Sequence, residues 1–265
     1  MPSSQNRVSL GTAMVIGIMA GLLGGMFGVG GGLIIVPALA SVAKMDRRRA
    51  SGTSLAATLP IAAAALVTYV ANGNVDWAVA LCLATGAIAG AVVGTHLLSV
   101  IPKNVLTIIF VITVLATATR LGIGTETTGR ADLSITMVVM LILVGLFTGT
   151  LAGLLGIGGG VIMVPAMVVL FGMVPIVAKG TSVAVIIPTS IMGTFRNRQN
   201  ANVDLRVATI VGGFGAVSAV AGGLIASDLS DRTSNMMFAL LLLVVAATQV
   251  ATLRKPKQTA QPSGS

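Results

Sequence analysis

The sequence predicts an all-α membrane protein of two tandem, inverted repeats of about 128 residues, with glycine-broken helices and 8 to 10 membrane passes. Three observations carry this prediction: long runs without charge, a self-match at one fixed shift, and an uneven distribution of Lys and Arg. Of the 265 residues, 55% are hydrophobic and 9% charged, whereas a soluble domain carries about 25% charged residues. Residues 8–43 and 133–178 are 36 and 46 residues without a charge. One helical span needs only about 20, so each run has room for more than one pass.

The self-match is the most specific signal. At a shift of 128, GVGGGLIIVP (Gly28–Pro37) lies over GIGGGVIMVP (Gly156–Pro165), with 7 of 10 positions identical. Met45, Ala50, Gly52, Thr53, Ser54, Ala56 and Pro60 lie over Met173, Ala178, Gly180, Thr181, Ser182, Ala184 and Pro188. NGNVD (Asn72–Asp76) lies over NANVD (Asn200–Asp204). The first repeat is assigned to residues 1–122, a linker to 123–133, the second repeat to 134–253 and a cytoplasmic tail to 254–265. Each repeat reads as four apolar blocks, roughly 10–43, 50–71, 77–100 and 104–121, then 134–174, 180–195, 205–227 and 233–253. Three glycines in a row are poor helix formers. The first block of each repeat is therefore expected as a helix, a break and a shorter second helix.

Charge sets the orientation, because aromatic belts are absent: Trp77 and Tyr69 are the only residues of their types. If each broken block enters and returns, Arg7, Lys44, Arg47, Arg48, Arg49, Lys103, Arg196, Arg198, Arg206, Arg254, Lys255 and Lys257 share one side. Only Arg120, Arg130, Lys179 and Arg232 share the other. A block that crossed once would divide the cations nearly evenly. The positive-inside rule prefers the first arrangement, with inverted halves and both termini in the cytoplasm. The net charge of +9 sits in short loops and forms no aromatic-interleaved tract, which suits an anionic membrane surface and not nucleic acid. Cys82 is the single cysteine, so no internal disulfide is possible. One His and one Cys cannot supply a metal site. No catalytic constellation and no cofactor motif is visible, and an enzyme is not expected. The glycine clusters satisfy neither nucleotide-binding pattern.

The candidate substrate-binding residues are Gly28, Gly30, Gly31, Gly32, Thr53, Ser54, Gly156, Gly158, Gly159, Gly160, Thr181 and Ser182. A helix restarts after each cluster, at Leu33 or Val161. Its leading amides lack intrahelical partners and, with the macrodipole, suit an anion. The other reading of the glycines is close helix packing. The hydroxyls of the Gly-Thr-Ser triplets could donate to an oxyanion or cap a helix. Asp76 and Asp204 read as caps of the helices that follow them. Pro37, Pro165, Pro60 and Pro188 read as kinks, static or moving. His96 is a proton relay or a group bonded to a backbone carbonyl. Lys179 attracts an anion to the outer mouth or snorkels.

Two copies of G-x-G-G-G-x-x-x-V-P (Gly28–Pro37 and Gly156–Pro165), each followed by Gly-Thr-Ser, resemble the TauE/SafE sulfite exporter family over residues 10–253. The resemblance implies a multi-pass carrier in the bacterial inner membrane, for sulfur oxyanions and organosulfonates such as sulfite and sulfoacetate. The implied partners are a small anionic substrate and the lipid bilayer. The function expected is secondary transport by alternating access. A non-transporting scaffold or sensory partner, and an anion channel, are the alternatives.

Overall fold

The computed structural model describes residues 8–97, 134–156, 158–230, 233–234, 236–241, 243–244 and 247. The expected apolar block 104–121, the 123–133 linker, the 254–265 tail and the side chain of His96 lie outside the described residues. All regular structure among the described residues is helical. The helices are α1 (Leu10–Phe27), α2 (Gly32–Ser41), α3 (Arg47–Ala71), α4 (Trp77–Leu97), α5 (Ile135–Leu155), α6 (Gly160–Phe171), α7 (Pro175–Gln199) and α8 (Leu205–Asp228). Helical residues recur from Thr233 onward. Five helices are long and apolar enough to cross a bilayer: α1, α3, α5, α7 and α8. Large apolar side chains also cover their outer surfaces, among them Val15, Met19, Val139, Leu143, Val217 and Leu224. Lipid is the solvent that tolerates such a surface.

The first block of each half is broken as expected. α1 ends at Gly28 (φ 69°), α5 at Gly156 (φ 69°), and each short helix starts from a left-handed glycine, Gly31 (φ 77°) or Gly159 (φ 75°). A Cβ is strained at these angles, which is why the turn is built from glycine. Among the other helices, side chains cap five N-termini: Ser9, Asp46, Asp76, Ser134 and Asp204 each accept a backbone N–H of the following turn.

Interfaces occur in repeat-related pairs. Cβ atoms added to Gly17, Gly21 and Gly25 of α1 would strike the backbone of Val211, Gly215 and Ala219 in α8. Those added to Gly145 and Gly149 of α5 would strike Leu83 and Ala87 in α4, the counterparts of Val211 and Gly215. Rising residue numbers match in both pairs, so α1 runs parallel to α8 and α5 runs parallel to α4. Between α3 and α7 the order is reversed. Leu55 lies against Gly193 and Tyr69 against Gly180, so these two equivalent helices run antiparallel. Their register brings Pro60 level with Pro188.

A valine at Gly21 or Gly149 should prevent folding, because its Cβ would fall on a carbonyl oxygen of the neighbouring helix. Alanine at Gly213, where nothing lies within 4 Å of a Cβ, should be tolerated. The yield of monodisperse protein after detergent extraction compares the three.

Candidate functional site

The two glycine breaks abut at the centre of the protein. A Cβ on Gly160 would lie 2.8 Å from both the Gly28 carbonyl oxygen and Val29 Cα, and one on Gly158 would lie 3.8 Å from the Val29 oxygen. Thr58 of α3 and Ile186 of α7, which are repeat counterparts, flank both breaks. The Thr58 methyl is 2.9 Å and 3.5 Å from Cβ positions on Gly30 and Gly158, and Ile186 is 3.2 Å and 3.8 Å from the same two. Gly28 lies on the backbone of Lys179, and Gly156 on that of Ser51, the counterpart of Lys179. Close packing accounts for glycine at Gly28, Gly30, Gly31, Gly156 and Gly160. At Gly158 the space is ordinary and only the backbone angle asks for glycine.

α2 and α6 thus begin inside the protein, and neither has a side-chain cap. Amides at such starts have no intrahelical acceptor. Two partial positive charges, roughly +0.5 each, are directed into the junction region without any charged side chain.

The Gly-Thr-Ser triplets do not open their helices. They lie in the second turn of α3 and α7, behind the N-caps Asp46 and Val174. Neither threonine caps its own helix, and each pins the turn of the opposite half. Thr53 Oγ1 accepts the Asp204 backbone N–H at 2.9 Å, and Thr181 Oγ1 accepts that of Asp76 at 3.0 Å. Gly52 and Gly180 let the carbonyls of Asn202 and Asn74 approach at the same places. Ser54 Oγ donates to the Gly156 carbonyl at 2.9 Å. Ser182, its counterpart, has no hydrogen-bond partner among the described residues. All four hydroxyl residues are fully buried. Asp76 and Asp204 cap α4 and α8 as expected, and Asp204 also pairs with Arg49 at 2.9 Å.

Lys179 corrects a sequence-based expectation. It does not snorkel: it is 0% exposed. Its Nζ donates to Ser234 Oγ at 2.7 Å and lies 5.7 Å and 5.3 Å from the ring centroids of Phe27 and Phe238, which stack on each other. Cation–π attraction strengthens when the pair is desolvated, which fits an ammonium held against the two rings. Tyr69 is a further residue that sequence reasoning passed over. Its hydroxyl donates to the Gly25 carbonyl at 2.8 Å, satisfying one of the last carbonyls of α1. No group of three or more His, Cys, Asp or Glu gathers for a metal among the described residues.

With this geometry in view, comparison with known proteins is decisive at the level of family. The family model described as "Sulfite exporter TauE/SafE" matches residues 2–121 and 141–265. The chain belongs to the TauE/SafE family. A "Probable membrane transporter protein" of Xylella fastidiosa (strain 9a5c) is 29% identical over 251 residues, covering 90% of this chain and 92% of the relative. "Probable membrane transporter protein YunE" of Bacillus subtilis (strain 168) is 24% identical over 256 residues, covering 88% and 94%. A "Probable membrane transporter protein" of Methanocaldococcus jannaschii is 27% identical over 164 residues, covering 58% and 60%. No solved structure gives a significant match. TauE/SafE membership identifies the chain as a membrane transporter.

Removing the pinning hydroxyls should destabilise this transporter. Thr53→Val and Thr181→Val each leave a part-buried N–H without its acceptor, at a cost of about 1 kcal/mol. Tyr69→Phe strands a carbonyl at similar cost. Serine at 53 or 181 should restore most of the loss. Thermal unfolding in detergent, followed for each variant, measures the order.

Proposed function

We propose that this chain is a secondary carrier for small anions, sulfur oxyanions or organosulfonates, working by alternating access. The observation that carries the reading is the meeting of two uncapped helix starts, α2 and α6, at abutting glycine breaks. Helix-end amides attract anions and repel cations. Substrate contact is assigned to the amides around Gly28, Gly30, Gly31 and Gly32 and around Gly156, Gly158, Gly159 and Gly160. The Thr53, Ser54, Thr181 and Ser182 segments support them. Family membership supports the sulfur-containing class of substrate.

In this reading the halves are inverted in the inner membrane, with 8 to 10 passes and both termini cytoplasmic. The antiparallel run of α3 and α7 supports inversion, as does the parallel packing of α1 on α8 and of α5 on α4. α3 and α4 are joined by a short turn and so run in opposite directions, which opposes α5 to α1. The contact of Arg49 with Asp204 puts the starts of α3 and α8 at one end, together with Lys44, Arg48, Arg196, Arg198 and Arg206. That end is cytoplasmic by the positive-inside rule. Inverted repeats with broken helices meeting near the midplane are a recurring plan for carriers.

Flux into proteoliposomes tests the function, using sulfite, thiosulfate, sulfate and methanesulfonate, with sodium and potassium as cation controls. The carrier reading predicts saturable anion uptake that responds to an imposed ion gradient. Flux that does not saturate would mean a channel. Absence of flux for every anion would favour a scaffold or sensory partner, and preferential cation flux would remove the anion reading.

A further inference from the structure

Four buried hydroxyl oxygens have no hydrogen-bond partner among the described residues, those of Thr58, Ser182, Ser190 and Thr194. Thr58, Ser182 and Ser190 are each fully buried. This is unusual for their setting. A helical Ser or Thr in an apolar interior commonly bonds the carbonyl one turn back. Thr189, the neighbour of Ser190, does so to Val185 and Ile186, and Thr68, Thr148 and Thr150 do the same to their own helices. A buried hydroxyl left without a partner costs about 1–3 kcal/mol and asks for an explanation.

Their placement supplies one. Thr58 lies beside both glycine breaks through its methyl group, and Ile186 of α7 flanks the same two breaks. Ser182 lies one turn before Ile186 and Ser190 one turn after it, on the same face of α7. The row from Ser182 to Ser190 covers about 12 Å of helix, and its middle residue, Ile186, flanks the same glycine breaks as Thr58. The uncapped starts of α2 and α6 flank the same middle. The other hydroxyls first considered for binding, Thr53, Thr181 and Ser54, are already engaged with protein partners.

We propose that Thr58, Ser182 and Ser190 are the hydroxyls that bond the transported anion as it passes the glycine junction. Each donates one hydrogen bond to a small oxyanion, and successive contacts replace lost water along the row. The ligand class is an oxyanion with outward-facing acceptor oxygens, compact enough to sit between two helix starts. Thr58 is the central contact, and Ser182 and Ser190 serve the two approaches to it. The proposal rests on the anion-carrier reading above and moves most of the hydroxyl contacts of that site away from the Gly-Thr-Ser triplets.

The test uses Thr58→Val, Ser182→Ala and Ser190→Ala in the full chain. Each is assayed for uptake of radiolabelled sulfite, sulfate and methanesulfonate into proteoliposomes, and for thermal unfolding in detergent. Because these hydroxyls bond none of the described residues, Tm should not fall in any variant. KM for the carried anion should rise at least ~tenfold for Thr58→Val, as expected when a hydrogen bond to a charged group is lost. The two serine variants should lower uptake at subsaturating anion. A wild type that carries none of the three anions would sink the carrier reading and this proposal together. A wild type that carries one of them, with all three variants keeping its KM and uptake, would overturn the proposal alone. So would a drop in Tm, since it would mean that the hydroxyls are structural.

Discussion

Peptide backbone resting directly on peptide backbone is the contact on which this structure depends. Lipid gives helices no hydrophobic reason to associate, so affinity between them must come from close packing and backbone approach. Gly17, Gly21 and Gly25 let α1 lie on α8, and Gly145 and Gly149 let α5 lie on α4. The same residue type then does something different at the centre. Gly28 to Gly32 and Gly156 to Gly160 end one helix, start another, and allow the two breaks to touch. A side chain at most of these positions would separate the halves and close the space where two helix starts converge.

The halves share a plan but differ in chemistry, and the differences have a size. Lys179 stands where the first half has Ser51, and Arg49 where the second half has Val177. The ion pair of Arg49 with Asp204 is partly exposed, with side chains at 34% and 24%, and such pairs are worth about 0–1 kcal/mol. That is enough to bias two packings of similar energy and too little to lock one. In a carrier cycle the two packings must differ by no more than a few kcal/mol, or one would never be populated. The buried Lys179 is a heavier commitment, because its ammonium is held by Ser234 and two rings in the interior.

Features that depend on neighbouring residues could be read from the sequence, and features made between the halves could not. Glycine runs announce a break through local backbone preference, and Asp76 and Asp204 announce caps because the bonded amides are two or three residues on. The threonines were legible as residues of interest but not in their role. Thr53 and Asp204 are 151 positions apart, and nothing local in a Gly-Thr-Ser triplet says that its partner is a turn in the other repeat. Lys179 misled for a related reason. A lysine beside an apolar run is ordinarily a boundary residue, and its burial follows from Phe27 and Phe238, which arrive from distant segments. The hydroxyls of Thr58 and Ser190, without a partner among the described residues, sit inside apolar stretches, and their sequence signal is limited to the mismatch of Thr58 with Ile186 between repeats.

The central claim is that two equivalent halves face opposite sides of the membrane, and paired labelling at equivalent turns tests it most directly. Gly73 and Ala201 are repeat counterparts in exposed turns, and both adopt positive φ, 67° and 54°. Ala201 already carries a Cβ at that angle, so a cysteine fits each turn. In a Cys82→Ala background, a membrane-impermeant maleimide added to intact cells should label Gly73→Cys and leave Ala201→Cys unlabelled until the membrane is opened. Labelling of both from the same side would contradict the inverted arrangement and the carrier geometry built on it.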